Sequence, residues 1–167
     1  MNALPTDLQI DRSCVFSPDR LHRYTLWREF DLTNRSYIQF VGLNPSTADE
    51  VQDDPTVRRC IDFAKRWGYG ALCMTNLFAY RATDPDDMLA AADPVGPEND
   101  AWLARIAAGA GLVVAAWGNH GGFMERDRAV TTLLPQLVCL GITKTGAPRH
   151  PLYVKAITTP AAFTIPA

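Results

Sequence analysis

Long apolar runs are missing from this chain: none approaches the ~20 residues that span a bilayer. The opening "MNALPTDLQIDR" has neither the basic n-region nor the apolar h-region of a secretory signal, so a cytoplasmic location is expected. Cysteine is scarce and scattered. Cys14, Cys60, Cys73 and Cys139 form no C-x-x-C pair, and each falls within an apolar strand or helix pattern. That argues against a zinc site or disulfide framework and suits reduced core thiols. Positive charge is not in excess either. The 16 Lys and Arg against 18 Asp and Glu leave a net charge of −2, unlike a protein dedicated to coating duplex nucleic acid. No repeat, low-complexity tract or linker interrupts the chain. Acidic residues stop at Asp127, leaving Arg128, Lys144, Arg149, His150 and Lys155 as a basic C-terminal set, while acids gather at Asp49–Asp54 and Asp84–Asp93.

What is present is ordinary globular material: 167 residues, 47% hydrophobic and 20% charged, enough for one domain with a proper core. Ser13–Phe16 and His22–Phe30 alternate in polarity around "SPDR", which places Pro and Asp in turn positions and predicts a β-hairpin. Tyr37–Leu43, Ala71–Leu77, Leu112–Trp117 and Gln136–Leu140 are short apolar runs without strict alternation, the pattern of buried parallel strands. Pro55–Trp67 is strongly helical, with Val57, Cys60, Ile61, Ala64 and Trp67 on one side. Asp54 is its natural N-cap and Pro55 its first-turn residue. Glu98–Ala108 and Phe123–Leu134 are the next helices. Alternating strands and helices predict one α/β domain over 1–167. Its expected form is a three-layer α/β/α core over 37–155 with a mainly parallel four-stranded sheet. Residues 1–30 would form an N-terminal extension carrying the hairpin.

In open α/β sheets, ligands bind beyond the carboxyl ends of the strands. The segments there are "NPSTADEVQDD", "NLFAYRATDP", "WGNHGG" and "GITKTGAPRHPLY", and parallel strands would bring them to one edge. Candidate pocket residues are therefore Pro45, Ser46, Thr47, Asn76, Tyr80 and Arg81 from the first two. Trp117, Asn119, Lys144, Arg149, Leu152 and Tyr153 come from the last two. Each also has a plainer explanation. Pro45, Ser46 and Thr47 can form a turn, Asp54 can serve as a cap rather than a catalyst, Asn76 can satisfy its own strand end, and His150 can be a surface residue held extended by Pro151.

From about Arg23 to Tyr153 the chain resembles a bacterial and phage family of unknown function. Its signature is N-P-S-T-A-D, D-D-P-T, N-L-F-A-Y-R, A-W-G and P-R-H-P-L-Y, all present here. More distantly, the order of motifs resembles the uracil-DNA glycosylase superfamily. "GLNP" is similar to the G-I-N-P of its mismatch-specific branch, "TNLFAYRATDP" to the T-N-x-x-x-x-R-P of its thermophilic branch, and "RHPLY" to its H-P motif. The resemblance implies a four-stranded parallel sheet between helices and hydrolysis of a nucleobase N-glycosidic bond in DNA or a nucleotide. It also implies roles: Asn44 positions the attacking water, Asn76 reads the base, His150 sits beside a base oxygen, and Leu152 or Tyr153 is a wedge. Asp49 or Asp53 would take the proton, since an amide is no base, and Tyr80 or Trp117 would stack on the base. No cofactor and no metal is expected, and the partner would be nucleic acid or a nucleotide. Two alternatives stay open: a binding module without turnover, and a divalent-metal phosphoesterase built on Asp49, Asp53 and Asp54.

Overall fold

A computed structural model describes residues 13–165. The part of the expected N-terminal extension that precedes Ser13 lies outside the described residues. The expected hairpin is β1 (Cys14–Phe16) and β2 (Arg23–Glu29), paired antiparallel. Next come β3 (Tyr37–Gly42), α1 (Pro55–Arg66), β4 (Ala71–Asn76), a short α2 (Pro85–Leu89) and α3 (Asn99–Gly109). They are followed by β5 (Leu112–Ala115), α4 (Arg126–Leu133), β6 (Val138–Cys139) and β7 (Ala161–Ala162). The helix expected from Phe123 starts later because Met124 and Glu125 take positive φ of 54° and 52°, which helical hydrogen bonding cannot continue through.

The strands form one sheet of order β1-β2-β4-β3-β5-β6-β7. This corrects the four-stranded expectation. Four parallel strands, β4-β3-β5-β6, do form the centre, but the hairpin is no separate extension: β2 pairs antiparallel with β4. On the far side β7 adds an antiparallel edge to β6. The hairpin joins because an open β4 edge would leave a row of backbone donors and acceptors without partners.

Alternation along β3 divides the core. Ile38 and Phe40 meet Val57, Cys60, Phe63 and Ala64 of α1 on one face. Val41 meets Leu103 of α3 and Val130 of α4 on the other, where Tyr37 also packs near Ile106. Each such large side chain taken from water contributes roughly 1.5–3 kcal/mol. α1 begins as expected: Asp54 Oδ1 accepts the Val57 N–H at 2.8 Å, and Pro55 occupies the first turn. Cys60, Cys73 and Cys139 are buried and Cys14 half-buried, all as free thiols. Among the described residues no helix is long and apolar enough to cross a membrane.

Candidate functional site

Register brings the four loops together. Gly42 pairs with Asn76, Val41 with Ala115, and Ala115 with Cys139, so the parallel strands end at one level. Beyond that level lies a cleft of about 480 Å³, within the range of roughly 300–1,000 Å³ typical of small-ligand sites. The loops are knitted in pairs. Asn44 Nδ2 donates to the carbonyls of Pro45 and Ala82 at 3.0 and 2.9 Å, and the Ala82 N–H returns to Pro45. Across the cleft, the hydroxyls of Thr143 and Thr145 donate to Asn119 Oδ1 at 2.8 and 2.9 Å.

Asn76 stands at the centre of the wall. It is 4% exposed, and its Nδ2 has no partner among the described residues. Such an orphan costs about 1–3 kcal/mol unless a ligand or water meets it. Gly42 makes room for this amide: a Cβ there would lie 2.8 Å from Asn76 Oδ1. The main chain behind is fixed by Asn99, whose Nδ2 donates to the Asn76 and Leu77 carbonyls at 3.0 Å, and by Arg126, which donates to Leu77. Asn44 has spent both amide hydrogens on backbone, which leaves Oδ1 as an acceptor without a protein donor among the described residues.

His150 caps the 3-10 turn Pro151–Tyr153: its Nδ1 accepts the Leu152 N–H at 3.2 Å. That bond assigns the ring proton to Nε2, which keeps a donor for the cleft that His150 lines. Burial lowers its pKa below the ordinary 6.5, while Asp54 opposes the shift, so the ring is neutral near neutral pH. α1 fixes the turn from behind. Arg59 donates to the Pro151 and Val154 carbonyls at 3.2 and 2.6 Å. Tyr153, 78% exposed, tilts against His150 with ring centroids 5.5 Å apart.

Of the residues singled out from sequence, Asn44, Pro45, Ser46, Asn76 and Trp117 line this cleft, as do Asn119, Arg149, His150 and Tyr153. Thr47, Asp49, Tyr80, Arg81, Lys144 and Leu152 do not. Asp49 turns its carboxylate to the N–H groups of Val51 and Gln52, which lowers its pKa. Tyr80 packs edge-on against His22, and Arg81 lies over the Phe16 ring of the hairpin. Asp53 pairs with buried Arg28 at 2.6 Å. The three loop acids thus have separate partners, and among the described residues no cluster of three His, Cys, Asp or Glu suits a metal.

Two charged residues of the lining, Asp54 and Arg23, were not among the residues proposed for the pocket from sequence. Asp54 was legible as a cap, but it is also the only carboxylate among the cleft-lining residues. Arg23, 3% exposed, enters from β2. Its one sequence signal is a charge at the start of a strand that otherwise pairs into the core. No curated protein and no solved structure matches the chain. Residues 23–152 match the family described as Protein of unknown function (DUF1643), and with most of its length so covered the chain belongs to that family.

Proposed function

We propose that the cleft binds a nucleobase and hydrolyses its N-glycosidic bond. The observation that carries this reading is the unpartnered Nδ2 of buried Asn76 in a wall shared with the Nε2–H of His150. A base edge offers acceptors and donors in the plane where side-chain amides and imidazoles supply their complements. As the C1′–N bond breaks, its electron pair moves to the base and positive charge develops on the sugar. Neutral donors fixed at a base oxygen then meet negative charge where it appears, without reorganising. Water supplies the nucleophile: its oxygen bonds to C1′, one hydrogen bond directed to Asn44 Oδ1, and its proton passes to Asp54 and on to the released base. Asp54 takes the proton role considered for Asp49, because Asp54 lines the cleft and Asp49 does not. Tyr153 supplies an exposed ring at the mouth on which a base can stack.

Incubation with nucleotides and with oligonucleotides carrying uracil, hypoxanthine or mismatches, followed by chromatography, tests this. Free base should appear with one of them and fall at least tenfold in His150→Ala and Asn76→Ala. Failure to release any base, with binding intact, supports the second reading, a nucleobase-binding module without turnover. One observation favours that module: Asp54 Oδ1 is already occupied by the Val57 N–H in capping α1.

A further inference from the structure

The described residues bury three arginines, and two of them are neutralised. Arg28 Nε meets Asp53 at 2.6 Å, and Arg126 Nη2 meets Asp100 at 2.7 Å. Arg23 is the exception. Its Nη1 donates to the Ala48 carbonyl at 2.9 Å, its Nε has no partner, and no carboxylate pairs with it among the described residues. A buried cation is costly unless an anion accompanies it. Burial pushes its pKa down to about 10, while Asp54, nearby but not ion-paired, holds it up.

A bulge delivers this side chain to the cleft. β1 pairs Val15 with Thr25 and Phe16 with Arg23, which leaves Tyr24 unopposed. Alternation from Leu26, which packs on the α1 side, would put Tyr24 there and Arg23 on the opposite face. With the extra residue, Tyr24 packs instead against His22 and near Gly96, and Arg23 reaches Ala48 beside the cleft. Bulges beside functional sites commonly re-aim a side chain in this way.

We infer that Arg23 is an anion subsite of the cleft and that the ligand is a mononucleotide, its phosphomonoester on Arg23 and its base against Asn76 and His150. The inference rests on the base-binding reading above, but its anion half stands on Arg23 alone. A mononucleotide fits better than a duplex. Duplex phosphates lie on the outside of a rod and reach surface cations, whereas Arg23 is 3% exposed and lines a cleft of about 480 Å³. Arg149, also in the lining, adds a second cation and donates through Nε to the Ile142 carbonyl at 3.2 Å.

Calorimetric titration of the full chain tests this with four probes: nucleosides, their monophosphates, inorganic phosphate, and an oligonucleotide lacking terminal phosphate. The monophosphate should bind about tenfold tighter than its nucleoside, the yield of one charge-assisted contact. Inorganic phosphate should compete with the monophosphate but not with the nucleoside. Arg23→Gln should abolish the tenfold gain and leave nucleoside affinity unchanged. If that variant fails to fold, the wild-type comparison still decides. Equal affinity for nucleoside and monophosphate overturns the anion subsite and leaves the base reading standing. Phosphate binding through Arg23 with no nucleoside binding overturns the base reading instead. A tighter oligonucleotide than monophosphate overturns the choice of a mononucleotide.

Discussion

Replacing Arg28 by Met would release the acidic loop that joins Ser46 to Asp54, two residues of the cleft wall. Arg28 is 2% exposed and lies where β2 passes under residues 49–53. Its Nε holds Asp53 at 2.6 Å, Nη1 donates to the Trp27 carbonyl, and Nη2 donates to the Asp49 and Gln52 carbonyls. Met keeps most of the aliphatic stem, so the loss is concentrated in the polar head. It takes the guanidinium away from the Asp53 carboxylate, 19% exposed, and removes a donor from the Asp49 and Gln52 carbonyls. Breaking a buried pair from one side costs about 3–5 kcal/mol. For a domain of this size each kcal/mol moves Tm by about 2–4 °C, so the drop should be roughly 6–20 °C. Urea and thermal unfolding measure it directly. Arg28→Met/Asp53→Asn should recover part of the loss, since the carboxylate that lost this guanidinium is then neutral; a coupling of about 0.5–3 kcal/mol is expected. A single-variant cost below about 1 kcal/mol would refute the reasoning, because an exposed pair loses no more than that.

Other outcomes follow from the same geometry. Gly42→Ala should fold, at a cost of about 1–3 kcal/mol for overpacking, yet displace the Asn76 amide whose oxygen would stand 2.8 Å from the new Cβ. Ligand affinity should fall by about 100-fold, as small misplacements of a positioning group do, and unchanged affinity would remove Asn76 from the site. Asp54→Asn keeps a capping oxygen for Val57 and should hardly change Tm, whereas Asp54→Ala should lose about 1 kcal/mol. Both should slow base release if Asp54 takes the water's proton, as discontinuous assay of free base will show. The His150 pKa is depressed by burial, so its neutral form favours the folded state. That stability is complete above 6.5, its unfolded value, and is lost as pH falls through the lowered folded value; urea midpoints of His150→Gln should lack this loss.

Much of the frame was legible along the chain. Apolar runs of strand length, separated by helical periodicity, specified the α/β class and the parallel centre, because burial on both faces leaves little freedom in residue choice. Asp54-Pro55 marked the start of α1 because the capping bond is local, spanning three residues. The five-residue α2 begins with a similar Asp-Pro pair at Asp84-Pro85, but it is too short for any periodicity to register. Convergence of Asn44, Asn76 and His150 on one cleft followed from strand direction alone.

Other features depended on contacts between distant segments. Asp49, Asp53 and Asp54 look alike in sequence, and only the fold sends one to a turn, one to Arg28 and one to the cleft. Their partners include backbone atoms, which residue type does not encode. The seventh strand and the joining of the hairpin to β4 depend on which sheet edge remains unpaired. Arg23 depends on a one-residue bulge between β1 and β2, since a side chain's face reverses when pairing slips by one. Sequence by itself determined the parallel centre of the sheet, its direction and the edge where polar loops meet. Tertiary structure decided which buried arginines were neutralised and left Arg23 facing the cleft without a paired carboxylate, because neutralisation requires a partner brought from elsewhere in the chain.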